Sequence, residues 1–420
     1  MKLIDQLRTH ARRREAFAFL RYIGPGLLVT VGFIDPGNWA SNIAAGATHG
    51  YALLWVITLG TIMLVLLQHN VAHLGIASGL CLSEATTRHF KPVPARLILG
   101  SAMLASISTA LAEILGAAIG LRMLFPRLPL QAGAILVTAA VLFMLATNTY
   151  PKLEKFIIAF VSLIGLAFLY ELHLVDIPWG RVAVSWVRPE FPAGSIFLIM
   201  AVLGAVVMPH NLFLHSEIIQ SREWNLKDEK VIRRQLKYEF TDTLVSLGVG
   251  WAINSAMVII AAAAFFGRTR ITEIEQAHDM LGPLLGGTAA LVFALALILA
   301  GLASSMTAGM AGSTVFAAIF GETYDIKDFH SRLGAAVTLI AAAAVVFLVG
   351  DPFKALLLSQ MLLSIQLPVT IITQIRLTSS RAVMGKYANP PLLRVLLWIV
   401  AVVVIAMNLM LAASLVFRRL

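Results

Sequence analysis

Eleven stretches of this 420-residue chain are apolar over a length that spans a bilayer, and once they are placed little of the sequence is left over. They lie near 24–48, 51–76, 95–120, 130–147, 153–174, 195–219, 240–266, 288–319, 332–349, 354–376 and 392–416. A bilayer core needs about 20 apolar residues in a helix. With no water there, each backbone polar group must be satisfied inside its own segment, which selects α-helices. The chain is 59% hydrophobic and 13% charged, with a mean hydropathy of +0.85, whereas a soluble domain is roughly 25% charged. It has too few polar side chains to cover a water-facing surface, which excludes a cytosolic enzyme, a secreted disulfide scaffold and a disordered chain. The one cysteine, Cys81, excludes an internal disulfide and a multi-cysteine metal site. The expectation is an all-α, multi-pass membrane protein whose short loops make it one domain.

A net charge of +10 invites a nucleic-acid reading, and the placement of the charges answers it. With the amino terminus in the cytoplasm and loops alternating, most of the basic residues fall on the cytoplasmic side, among them Arg12, Arg13, Arg14, Arg88, Lys91, Arg233, Arg234, Arg376 and Arg381. That is the positive-inside bias. The charge reports topology, and no nucleic-acid partner is expected. The carboxyl terminus, with Arg418 and Arg419, then lies outside. The first run contains Asp35 and a Pro-Gly pair, unlike a signal-peptide core, and is read as a retained span. Two smaller features complete the layout: an amphipathic cytoplasmic segment at 221–238 and a short external helix at 270–285.

Two spans are interrupted. The first reads Gly32-Phe33-Ile34-Asp35-Pro36-Gly37-Asn38, and the sixth Gly204-Ala205-Val206-Val207-Met208-Pro209-His210-Asn211. Proline removes a helix donor, and glycine accepts non-helical angles. Carbonyls freed in this way are tolerated at membrane depth only against protein or a polar cavity. The breaks open two successive groups of five spans. An odd number per group turns the second group upside down relative to the first. Corresponding breaks in inverted halves point to the central site of a secondary transporter. The layout is therefore a cytoplasmic segment 1–22, a first repeat 24–174, a second, inverted repeat 195–379 and an extra helix 392–416.

Asp35-Pro36-Gly37-Asn38 and Met208-Pro209-His210-Asn211, continued by Leu212-Phe213-Leu214-His215-Ser216, resemble the paired signature of the Nramp family of divalent metal transporters. Further matches are Gln68, Ala72, Leu74, Gly75 and Gly79 in and after the second span, Ala112-Glu113 in the third, and Ser359-Gln360, Gln366-Leu367-Pro368 and Thr378-Ser379-Ser380 around the tenth. The resemblance implies an amino acid transporter-like fold, five-plus-five with broken helices 1 and 6. It also implies import of Mn²⁺ or Fe²⁺ with protons across a bacterial cytoplasmic membrane, by a monomer without a resident cofactor.

Residue chemistry bears on the site independently. A carboxylate at membrane depth is costly by at least ~2.5 kcal/mol, and no Lys or Arg lies in the middle of any span to offset Asp35. Asn38 adds a neutral oxygen if the broken turn faces it inward. Met208 offers a soft thioether, which contributes little to Mg²⁺ or Ca²⁺. The resemblance adds the backbone carbonyls of Gly32 and Ala205 as metal ligands, with Gln360 approaching the ion. It further implies a proton pathway through Asp35, His210 and Glu113 toward Arg332; His215, the second histidine after the break, could relay protons by its own chemistry.

Departures from the family pattern are Ala110, where an acid is common one turn before Glu113, Ser313 in place of a glutamine, and His69 in the second span. They leave the proton route open, so an uncoupled metal uniporter and a magnesium-carrying relative stand as alternatives. An organic-substrate transporter of the same fold is disfavoured, because Asp35 would repel a substrate carboxylate. An intramembrane enzyme is disfavoured too. No His-Glu-x-x-His occurs, and Gly350-Asp351 lies at a span end without a second acid.

Overall fold

The computed structural model describes residues 35–147, 162–163, 165–220, 229–268, 271–281, 286–325 and 327–417, and among them there is helix but no strand. Helix α1 (Pro36–His49) opens on Asp35, whose Oδ1 accepts the Asn38 backbone N–H at 2.6 Å. An acid at the cap and proline in the first turn are a favourable helix start. Helices α2 (Leu54–Ser78), α3 (Leu82–His89), α4 (Pro92–Leu124) and α5 (Leu130–Thr147) follow. The fifth apolar run contributes helical residues at 165–171, and its earlier part lies outside the described residues. A short helix α6 (Trp179–Val187) precedes the second interrupted element, α7 (Ile196–Val207) and α8 (Pro209–Gln220). Then come α9 (Glu229–Phe265), α10 (Ala289–Ile319), α11 (Phe329–Val346), α12 (Pro352–Thr378) and α13 (Pro391–Phe417).

Among the described residues nine helices are long and apolar enough to cross a membrane, with Ile196–Gln220 taken across its break. Their outer faces carry exposed Leu392, Val395, Ile399, Val402, Leu409 and Val416 on α13 and Ile135, Leu136 and Phe143 on α5. Such a belt is stable against lipid and would be an aggregation surface in water. The chain is a multi-pass membrane protein.

Two boundaries differ from the sequence reading. The amphipathic segment expected at 221–238 is not separate from the seventh span. From Glu229 onward it is the first part of α9, one helix of 37 residues. At 1.5 Å per residue that is about 55 Å, well beyond a hydrocarbon core of about 30 Å. The polar start therefore projects out of the apolar layer without any need to break. Of the external helix expected at 270–285, the described residues include a 3-10 segment, Ile274–Leu281, fastened to the end of α4 by the Arg122–Glu275 ion pair.

Proline also explains how α13 is fixed. Pro368 lies inside α12 and has no N–H for the carbonyl of Ser364 one turn earlier. Asn408 of α13 fills the vacancy, its Nδ2 donating to the Ser364 oxygen at 3.1 Å. At one end of the bundle α2 and α12 are joined by a buried amide network. There Asn70 Oδ1 accepts from Gln374 Nε2 and from Thr378 Oγ1, each at 3.0 Å, and Asn70 Nδ2 donates to Asn389 at 2.8 Å. Buried networks of this kind hold a helix pair in one register.

Candidate metal site at the two helix breaks

Helix α7 stops at Val207 because Met208 takes a left-handed backbone conformation, with φ of 42°. It is the one non-glycine residue with positive φ among those described. An L-residue pays roughly 1–2 kcal/mol for that conformation, and such strain concentrates at functional positions. The conformation turns the chain so that Pro209 can begin α8. Pro209 has no N–H, so the Ala205 carbonyl one turn earlier loses its ordinary helix donor. The thioether of Met208 is buried and receives a contact from Asn211 Nδ2 at 3.0 Å.

Asp35 is also buried. Its polar partners are the Asn38 backbone N–H at 2.6 Å, the Asn38 side-chain Nδ2 at 2.9 Å and the backbone of Gly37. Among the described residues no lysine or arginine forms an ion pair with it. The aspartate and asparagine expected to act together are thus bound to each other across the first turn of α1. Gly32 lies outside the described residues.

Helix α12 brings the two breaks together. A Cβ on Gly37 would collide with the side-chain amide of Gln360, and a Cβ on Gly204 would collide with the Gln360 backbone carbonyl. Only hydrogen in place of a side chain permits these approaches. Gln360 is therefore wedged between the Asp35 turn and the last turn of α7, buried and within the expected group.

The remaining candidates divide. His210, in the first turn of α8, places Nδ1 3.2 Å from Thr109 Oγ1 on α4. Thr109 and Glu113 are four residues apart on that helix and share a face. Glu113 is fully buried, and neither carboxyl oxygen has a hydrogen-bond partner among the described residues. It also lies close enough to feel the charge of Asp35. Thr109 was invisible in the sequence, since serines and threonines are frequent in α4 and nothing local marks this one. His215 departs from the group: its Nε2 lies 3.6 Å from Glu239 Oε1 on α9. Arg332 is exposed in the first turn of α11, a helix that packs on α4. An open cavity of 740 Å³ lies at the far end of α1, walled by Ala44, Thr48, His49, Arg268, Asp351 and Lys354, and neither Asp35 nor Met208 lines it.

The family model for natural resistance-associated macrophage protein-like sequences, Nramp, matches residues 26–414. The chain belongs to the Nramp family. Among its Nramp relatives is the divalent metal cation transporter MntH of Verminephrobacter eiseniae, 40% identical over 402 residues, which cover 94% of this chain and 90% of that protein. The MntH of Xanthomonas campestris is 37% identical over 404 residues, with 94% and 90% covered. The solved manganese transporter of Eremococcus coleocola superposes with a TM-score of 0.77 at 25% identity, covering 94% of this chain and 87% of that one. Mhp1, a nucleobase-cation-symport-1 family transporter, is 17% identical with a TM-score of 0.63 over 93% of each chain. That likeness speaks for the fold alone.

Proposed function

We propose that this Nramp protein imports divalent transition-metal ions, Mn²⁺ or Fe²⁺, by alternating access. The ion is held by Asp35, Asn38, Met208 and the carbonyls of Gly32 and Ala205, with Gln360 beside it. The observation that carries this reading is that Gln360 packs both on the turn of Asp35, a buried acid with no basic partner among the described residues, and on Gly204, one turn before the left-handed Met208 with its buried thioether. A divalent cation supplies the charge that Asp35 otherwise lacks, and sulfur beside oxygen favours transition metals over Mg²⁺ and Ca²⁺. The names of the MntH relatives and of the manganese transporter point the same way. The reading includes eleven spans in a five-plus-five inverted repeat plus one helix, arranged over 24–174, 195–379 and 392–416. It also includes a monomer without cofactor in the cytoplasmic membrane, with the amino terminus inside and the carboxyl terminus outside. Purified protein in liposomes loaded with a metal-quenched dye tests the function. Entry of Mn²⁺ without Mg²⁺ is expected, and equal entry of both would overturn the selectivity.

The thioether makes a narrower prediction. Met208→Ala retains measurable Mn²⁺ uptake but is inhibited by Ca²⁺ at concentrations that leave the parent unaffected, because an oxygen-dominated shell with room for water suits the harder ion. The same inhibition curve in both proteins would remove sulfur from the selectivity mechanism.

Protons follow the line Asp35, His210, Thr109, Glu113, ending toward Arg332. This line substitutes a hydroxyl for the acid missing at Ala110, and a hydroxyl can both donate and accept a hydrogen bond. The coupling is loose, since Thr109 cannot store a charge as an acid would. Glu113→Gln is expected to keep metal uptake while abolishing the accompanying acidification of the liposome interior. Unchanged acidification would place the protons on another route, and no metal-dependent acidification in the parent would leave a uniporter.

A further inference from the structure

A second ionisable group lies away from the two breaks, where α2, α8 and α9 meet. Glu239 of α9 has a side chain only 5% exposed. Its Oε2 is 2.6 Å from His69 Nδ1 on α2. Its Oε1 accepts from Thr243 Oγ1 at 2.7 Å and lies 3.6 Å from His215 Nε2 on α8. The other titratable groups around it are His73, whose ring stacks 6.4 Å from that of His69, and Tyr387, 6.2 Å from the His73 ring on the far side. Asp242 follows one turn later on α9. No lysine or arginine pairs with Glu239 among the described residues, and among them the positive charge within reach of this buried carboxylate is that of a protonated imidazole. Both ring nitrogens of His215 are buried without a hydrogen-bond partner among the described residues, leaving room for one further proton on the side facing Glu239.

We propose that Glu239 and His69 form a second proton-binding site, separate from the His210–Thr109–Glu113 line, through which protonation sets how tightly α8 is tied to α2 and α9. The chemistry is simple. A proton taken from solution adds to an imidazole nitrogen, no other bond forms or breaks, and the proton leaves by the same N–H. Placement gives the site its leverage. His215 lies on the half-helix that begins at Pro209, beside Met208, whereas His69 and Glu239 belong to two long helices without a break. A proton shared among the three ties the half-helix to those two helices. Its loss leaves Glu239 to His69 and Thr243 alone. The proposal adds a proton site to the transport reading above, but it can be tested without transport.

The experiment compares the parent with Glu239→Gln and His69→Gln in two measurements. In the first, detergent-solubilised protein is titrated between about pH 8 and 5.5, the range in which histidines ionise. Glu239→Gln is expected to take up its proton about one unit lower in pH than the parent, because the imidazole loses its charge partner, and His69→Gln to take up about one proton fewer. In the second, the pH profile of Mn²⁺ uptake in liposomes is expected to move about one unit toward acid in Glu239→Gln, while Gly100→Ala, whose added methyl meets nothing within 4 Å, keeps the parental midpoint. A structural role alone would lower uptake at every pH and leave the midpoint in place. His69 is 27% exposed, so its replacement leaves no closed cavity and serves if Glu239→Gln fails to fold. Parental titration curves in the folded variants overturn the proposal. A parent that moves no metal overturns the transport reading and leaves the titration to decide this one.

Discussion

Asp35→Ala is expected to take up Mn²⁺ no faster than empty liposomes while inserting and eluting as the parent does. The two consequences have one cause. The carboxylate is buried, and its partners are the backbone and side chain of Asn38 and the backbone of Gly37. Removing it releases two or three hydrogen bonds at a helix start, a loss of about 1 kcal/mol for a missing cap, and also removes a buried charge that was itself costly. Stability changes little. Affinity for a dication changes greatly, since the remaining donors are neutral. A tenfold loss accompanies each 1.4 kcal/mol, and a single charge–charge contact at about 4 Å contributes roughly 4 kcal/mol at an intermediate effective dielectric. The loss then runs to about a thousandfold. Uptake by the variant at a tenth of the parental rate or more would remove Asp35 from the site, and the assignment of Asn38, Met208 and Gln360 would fall with it.

Gly204→Ala is expected to produce the second large effect, this time on folding. The added methyl would sit well inside van der Waals contact with the Gln360 carbonyl oxygen and close to the Ser364 amide nitrogen. Both are backbone atoms of a long helix and cannot turn aside as a side chain would. Overpacking costs typically 1–3 kcal/mol and more where the backbone must move, so the variant should melt several degrees lower and elute in smaller yield. Gly100→Ala is the control. Its methyl meets nothing within 4 Å, and alanine is the better helix former by about 1 kcal/mol, so that variant should match or exceed the parent. Equal melting of the two variants would mean that α7 and α12 are not in the contact described.

Much of this architecture could be read from the chain, for a physical reason. Apolar length reports burial in lipid directly, and proline reports a missing donor wherever it occurs. The spans and the break at Met208-Pro209 are therefore visible in one dimension. Pairing between distant residues is not. Thr109 and His210, His69 and Glu239, and Asn408 and Ser364 lie far apart in sequence, and each is an ordinary residue on its own helix. The long α9 was missed because amphipathic and apolar periodicity look like different objects, although a helix passes from one solvent to the other without changing its backbone. Gly37 and Gly204 stand near the two prolines in the sequence, but their role as seats for Gln360 required the neighbouring helix. Gly32 lies outside the described residues.

The seating of Gln360 has a mechanical consequence. The start of α1 and the end of α7 could each have been a joint with its own freedom, but here a single residue of α12 seats against both. Neither can swing without pushing the same residue, so displacement at the Asp35 turn meets the Gln360 side chain and displacement at the end of α7 meets its backbone. Such a molecule has an axle where a looser one would have two hinges, and the proposed metal site lies beside that axle, where the lever arm is short and coordination would be least disturbed by rotation.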